Sequence, residues 1–258
     1  MTSVSLTYID GPTTLLEFGG VRLLTDPTFD PSGGEYASGP VTLRKLDSPP
    51  LSAADIGPLD YVLLSHDHHF DNLDHAGRDL LPSATAVLTT MEGGARLGGN
   101  SIGLTPWQSV DLTTPQGRVL RIVATPARHG PEDLDRGPVI GFVLYFVDSP
   151  EQCVYFSGDT VWYEGVAEVA RRYSIGAALL NLGAARVPQP NSPHITMTAA
   201  EAVEAARAFA GAAIVPLHFE GWEHFSEGRD DIARAFADAG LSSRLRWPDP
   251  GRAIRIGL

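Results

Sequence analysis

The chain has 258 residues, 43% hydrophobic and 19% charged, a balance that supports a packed core and excludes a disordered chain. Acidic residues outnumber basic ones by 31 to 19, and a formal charge of −12 disfavours nucleic acid or an anionic membrane as a partner. Cys153 is the only cysteine, which excludes an intramolecular disulfide and a cysteine-based zinc site, so any metal falls to His and carboxylates.

Residues 1–12 carry neither a basic region nor an apolar run of signal-peptide length, and apolar runs elsewhere are far shorter than a membrane span. A cytoplasmic protein is expected. Residues 14–18 and 21–25 read as strands joined by Gly19-Gly20, a pair suited to a primed hairpin turn. Residues 61–65 read as a buried strand, followed by further strands at 86–90, 119–125, 139–147 and 153–157. A helix is expected over 162–173 and a strand over 177–182. Thr198 and Glu201 then form a capping box. The helix they open runs to Ala210 before Gly211, with Val203, Ala206, Phe209 and Ala210 on its apolar face. A strand at 213–217, a helix at 230–239 stopped by Gly240, and a closing strand at 252–256 complete the chain. With no repeat and no linker, residues 1–258 are expected to form a single α/β domain of sheet layers covered by helices.

The densest chemistry follows the strand at 61–65. Three histidines and three aspartates fall within nine residues of Ser65-His66-Asp67-His68-His69-Phe70-Asp71-Asn72-Leu73-Asp74. In extended backbone, residues two apart face one side, so His66 and His68 can aim both imidazoles at one point. Borderline metals such as zinc take imidazole nitrogen readily. The bland alternative is a solvated turn with idle histidines, which an apolar strand tolerates poorly. Two histidines do not complete a catalytic site, and three later segments end a strand in a potential ligand. Residues 119–125 lead through Pro126-Ala127-Arg128 to His129, residues 153–157 through Gly158 to Asp159, and residues 213–217 directly to His218. Singly each is weak; in this order, after the first cluster, they form a set.

In that order the motifs resemble the metallo-β-lactamase superfamily, over nearly the whole chain from Leu15-Leu16-Glu17-Phe18 and Thr25-Asp26-Pro27 to Pro216-Leu217-His218. Asp26-Pro27 and residues 196–199 are similar to the branch of small bacterial metal-dependent hydrolases related to ascorbate-phosphate lactonase. The resemblance implies a four-layer αββα sandwich with metal at one edge. It puts His66, His68 and His129 on a first metal, with Asp159 bridging to a second that His218 helps to bind. The implied cofactor is one or two divalent ions, zinc first, with manganese or iron as alternatives.

The usual pattern in that superfamily is His-x-His-x-Asp-His. This chain has one residue more before its Asp, and Asn72 stands where a second-site His is expected. Matching Asp71-Asn72 to the Asp-His pair makes His69 or Phe70 the insertion and Asp71 a second-site ligand. The second site, with Asp71, Asp159 and His218, is then poorer in nitrogen and is expected to hold zinc less tightly or to prefer manganese. His69 swinging in to replace the lost imidazole is the alternative. His194, in the Pro-rich stretch 188–194, and His224 are candidates for touching substrate or protonating a leaving group. Arg128 either holds an anionic substrate group or pairs with an acidic neighbour. The expected function is hydrolysis of an ester, lactone or phosphoester in a small molecule by a metal-bound hydroxide, with Asp71 or Asp159 orienting the nucleophile. Rivals on the same fold are a mononuclear-iron oxidoreductase and a non-catalytic metal-binding module. The sequence carries nothing on oligomeric state.

Overall fold

Gly19 and Gly20 turn the chain at φ +61° and +80°, the left-handed conformation a two-residue hairpin requires, and bring Phe18 opposite Val21. Residues 3–38, 41–186 and 192–258 are described by the computed structural model. In chain order the elements are β1 (Ser3–Asp10), β2 (Thr13–Phe18), β3 (Val21–Thr25), the hairpin β4 (Glu35–Ser38) and β5 (Val41–Arg44), α1 (Ala53–Ile56), β6 (Tyr61–Leu63), α2 (His75–Leu80), β7 (Ala86–Thr90), α3 (Met91–Leu97) and β8 (Ser101–Leu104). There follow β9 (Ser109–Thr113), β10 (Val119–Pro126), β11 (Ile140–Phe146), β12 (Ser149–Phe156), α4 (Glu164–Arg172), β13 (Ile175–Asn181), α5 (Ala199–Ala208), β14 (Ala213–Leu217), α6 (Arg229–Asp238) and β15 (Ala253–Gly257).

Among the described residues these strands form two large sheets, ordered β15-β1-β2-β3-β6-β7-β8 and β14-β13-β12-β11-β10-β9, while β4 and β5 pair only with each other. The alternation of strand side chains sorts the core. Leu6, Leu16, Leu23 and Leu63 of the first sheet meet Leu120, Ile122, Phe142, Phe156 and Leu179 of the second in one buried layer. The intervening residues face outward under helices. Leu24, Val62 and Val87 pack with Ile56 of α1 and Leu80 of α2; Tyr155, Ala178 and Ile214 pack with Val166 of α4, Val203 of α5 and Phe236 of α6. Helix, sheet, sheet and helix are thus stacked in four layers, the αββα order expected from the sequence.

Most expected elements appear with ends shifted by a few residues. The strand at 61–65 ends at Leu63, which releases Ser65 for side-chain work. The Thr198 capping box is present, but α5 stops at Ala208: Phe209 takes the C-cap with its ring buried, and Ala210 is exposed rather than on the apolar face. The alternating strand β1 and the hairpin β4–β5 were not expected. Neither were β8, the half-polar β9 or the short helices α1 to α3, which are too brief for a helical period to show. No helix among the described residues is long and apolar enough to cross a membrane.

Topology then selects one edge. Strand β10 runs antiparallel to β11 and β11 antiparallel to β12, while β12, β13 and β14 are parallel. The C-terminal ends of β10, β12, β13 and β14 therefore emerge on the same side. The end of β6 joins them from the other sheet, where the Ile140 amide donates to the Ser65 carbonyl at 3.1 Å.

Candidate metal centre

The loop after β6 is held from below by Asp26 at the end of β3. Asp26 is fully buried at φ +25°, a strained position for a residue with a side chain. Its carboxylate accepts from the Ser65 amide and the Ser65 hydroxyl, both at 2.6 Å, and from Asn72 Nδ2 at 3.0 Å. Burial pushes this carboxyl up to about 7, although those hydrogen bonds oppose the rise. With its one proton given to Asp26, the Ser65 hydroxyl can only accept from His66 Nδ1, 2.9 Å away. His66 is left with a bare Nε2. His129, just past β10, has the same tautomer for a simpler reason: its Nδ1 lies 2.7 Å from the Ile195 carbonyl, which can only accept.

Those two bare nitrogens converge. His66 Nε2 and His129 Nε2 lie 3.0 and 3.2 Å from His69 Nδ1, and the three ligand atoms fall within 4.8 Å of one another. Burial, followed by the neighbouring His69, holds His66 well below its ordinary value; burial and His129 bring His69 down to about 3. Both shifts favour the neutral form of His66 and His69, the form in which imidazole binds metal.

A second group, Asp71, Asp159 and His218, has its ligand atoms equally close. Each carboxylate has one oxygen held and one bare. Asp159 Oδ1 accepts from His218 Nδ1 at 2.9 Å and Asn181 Nδ2 at 2.8 Å, while Oδ2 has no hydrogen-bond partner. Asp71 Oδ2 lies 3.0 Å from His224 Nε2, and its Oδ1 is likewise unpartnered, as is His218 Nε2. Burial acts to raise both acids, but the hydrogen bond and charge of His224 outweigh it at Asp71, and those of His218 at Asp159, so both stay below the usual carboxylate range. Burial would lower His218, yet Asp159 raises it above its ordinary value. Backbone shape contributes as well. His218 sits at φ +53°, and Gly158 at φ +58° admits no side chain, because a Cβ there would lie 2.7 Å from the Ile140 carbonyl oxygen.

The groups adjoin: His129 Nε2 is 3.8 Å from Asp159 Oδ2. Bare, buried carboxylate and imidazole atoms cost free energy unless something completes their coordination, and a divalent cation does so. The donor set fits such an ion: three imidazoles in one group, two carboxylates and an imidazole in the other.

Of the residues anticipated from the sequence, the structure brings together His66, His129, Asp71, Asp159 and His218. It does not bring in His68. That side chain donates from Nε2 to the Arg136 carbonyl at 3.0 Å, while its ring stays 4.8 Å from that of His66 with Nδ1 buried and unpartnered; His69 is the histidine grouped with His66 and His129. The expectation of an ideal extended strand through 66–68 fails because the strand has already ended at Leu63. With His69 in the first group, His69-Phe70-Asp71 has the His-x-Asp part of the superfamily pattern, and Asn72 stands in its last place. Asn72 presents its amide to Asp26. His224 is buried against Asp71, whereas His194 lies apart, 3.1 Å from Glu201, and residues 188–191 of its Pro-rich stretch lie outside those described. Asp26 entered the sequence reading only as part of the Asp26-Pro27 motif, without a role at the site, and Asn181, at an ordinary strand end, was missed.

Comparison with known proteins agrees. A family model described as a beta-lactamase superfamily domain matches residues 21–219. The chain belongs to this superfamily. A UPF0173 metal-dependent hydrolase of Opitutus terrae is 32% identical over 97% of this chain and 99% of its own. In solved structures, the isothiocyanate hydrolase from Delia radicum gut bacteria superposes with a TM-score of 0.81 at 24% identity, covering 97% of this chain and 98% of that one. A possible metal-dependent hydrolase from Veillonella parvula has the same TM-score at 20% identity, with 98% and 99% covered. These two likenesses establish the metallo-β-lactamase fold.

Proposed function

We propose that this protein hydrolyses an ester, lactone or phosphoester in a small molecule, using one or two divalent ions held at the paired groups. The observation that carries the reading is the 3.8 Å approach of His129 Nε2 to Asp159 Oδ2, which makes two ligand groups into one centre. His66, His69 and His129 would hold the first ion, zinc by their chemistry; Asp71, Asp159 and His218 would hold a second, with Asp159 shared. When bound, such a cation lowers the pKa of water to about 7 and polarises the oxygen of the scissile bond.

The chain's own groups supply the rest. Asp159 Oδ2 and Asp71 Oδ1, bare and ionised, are placed to accept a hydrogen bond from a nucleophilic water and fix its direction. His224, its Nε2 on Asp71 and its Nδ1 buried without a partner, is placed to pass a proton between that carboxylate and a leaving group. The formal charge of −12 favours a small substrate over nucleic acid, and a cytoplasmic location is part of this proposal.

A hydrolysis panel of esters, lactones and phosphoesters, with zinc, manganese and iron supplied separately, tests the reading. Turnover of one class, abolished in Asp159→Ala with the fold retained by circular dichroism, is expected. Activity surviving in that variant would refute it, and oxygen uptake by iron-loaded protein without hydrolysis would move the chain to oxidoreductase chemistry.

A further inference from the structure

Beside the centre lies a cleft of about 210 Å³ whose walls include Arg128, Val161, Trp162, His194 and Glu201. Liquid water occupies about 30 Å³ per molecule, so the space suits a group of several heavy atoms. Its walls are chain neighbours of the metal-facing residues. Arg128 precedes His129, Val161 lies two past Asp159, and His194 precedes Ile195, whose carbonyl fixes the His129 ring. Two bonds lock Arg128 to the Asp159 loop: its amide donates to Thr160 Oγ1 at 3.0 Å, and its carbonyl accepts from the Val161 amide at 2.9 Å.

The Arg128 guanidinium is mostly covered, with 27% of the side chain exposed, and lies over the Tyr163 ring at 4.5 Å from the centroid. Nε is buried and has no hydrogen-bond partner. The carboxylate nearest to it among the described residues, Glu132, stands at 4.0 Å with 94% of its side chain in solvent, a contact that contributes almost nothing. Glu201, in the same wall, makes its ion pair with His194 and not with Arg128: its Oε2 lies 3.1 Å from His194 Nε2 and accepts from the Thr198 amide at 2.9 Å. In a chain of charge −12, a stacked, half-enclosed guanidinium that no carboxylate claims is a fork awaiting an oxyanion.

We propose that the cleft beside the metal centre is an oxyanion subsite, in which Arg128 grips a carboxylate or phosphate on the small molecule this protein acts on. Only the identification of that molecule as substrate rests on the hydrolytic reading; anion binding in the cleft does not.

The test is calorimetric titration of the metal-loaded protein with succinate and, separately, with methylphosphonate, at constant ionic strength. Saturable binding of one is expected at millimolar concentration, and the anion that binds decides between carboxylate and phosphate. Arg128→Gln is expected to weaken it about tenfold, the loss of one charge-assisted fork, and Arg128→Lys to fall between. If Gln at this position prevents folding, the Lys variant alone decides, since loss of the fork with the charge kept still weakens binding. The proposal is overturned if neither anion binds, or if affinity is unchanged in the variants, which would put the anion on the metal instead. A silent hydrolysis panel with intact anion binding would count against the reaction proposed above and leave this subsite standing.

Discussion

In the group of His66, His69 and His129, burial and neighbouring imidazoles favour the neutral forms of His66 and His69, and neutral acceptors, the Ser65 hydroxyl and the Ile195 carbonyl, fix the tautomers of His66 and His129. In the group of Asp71, Asp159 and His218, burial is overcome by opposite charges, and each acid has one oxygen held by a histidine and the other bare. The first is a nitrogen site made ready by tautomer control, and the second is a carboxylate site made ready by pairing. Under the function proposed above, the difference would suit the first group to a borderline metal and the second to a harder one.

The largest effect that would break this comparison concerns two adjacent histidines. His69→Ala is expected to strip the first metal and abolish turnover, while His68→Ala keeps its metal content, because His68 is committed to the Arg136 carbonyl. Elemental analysis of the purified variants decides, and metal loss in the His68 variant alone would reverse the assignment.

A smaller effect sharpens it. Metal titration is expected to give unequal affinities. Loading the second group is also expected to release more protons than loading the first, since Asp159 raises His218 above its ordinary value whereas burial lowers His66 and His69. Calorimetry in buffers of different ionisation enthalpy reads this directly, and two equivalent sites would erase the distinction drawn here.

The smallest effect lies outside the centre, at the His194–Glu201 pair capping α5. Glu201 raises His194 above its ordinary value; burial pushes Glu201 up, but His194 outweighs it and brings it below its own. The stabilisation from His194 is complete below pH 6.5 and is lost as pH rises through its elevated value. That from Glu201 is present above pH 4.5 and is lost as pH falls through its depressed one. Glu201→Gln should therefore cost most between those limits, by less than about 1 kcal/mol for so accessible a pair. Thermal melts across that range check it, and a cost that grows above pH 8 would show that His194 takes no part.

Much of this was legible in the chain. The Gly19-Gly20 turn, the Thr198 capping box and the buried strands follow from local chemistry, and the strand-end positions of His129, Asp159 and His218 marked the site because idle polar groups are costly where apolar strands end. What the sequence by itself determined is a set of ligands at strand ends and the layered αββα architecture that its motifs resemble. Only the tertiary structure decided which two of the three neighbouring histidines, His66 and His69, join His129. That choice depends on where β6 ends and on Asp26, 39 residues upstream, whose bond to Ser65 sets the His66 ring. It also depends on Arg136, 68 residues downstream of His68, whose carbonyl takes the competing side chain. Register within a loop is fixed by partners distant in sequence, and a spacing rule for ideal strands cannot contain them.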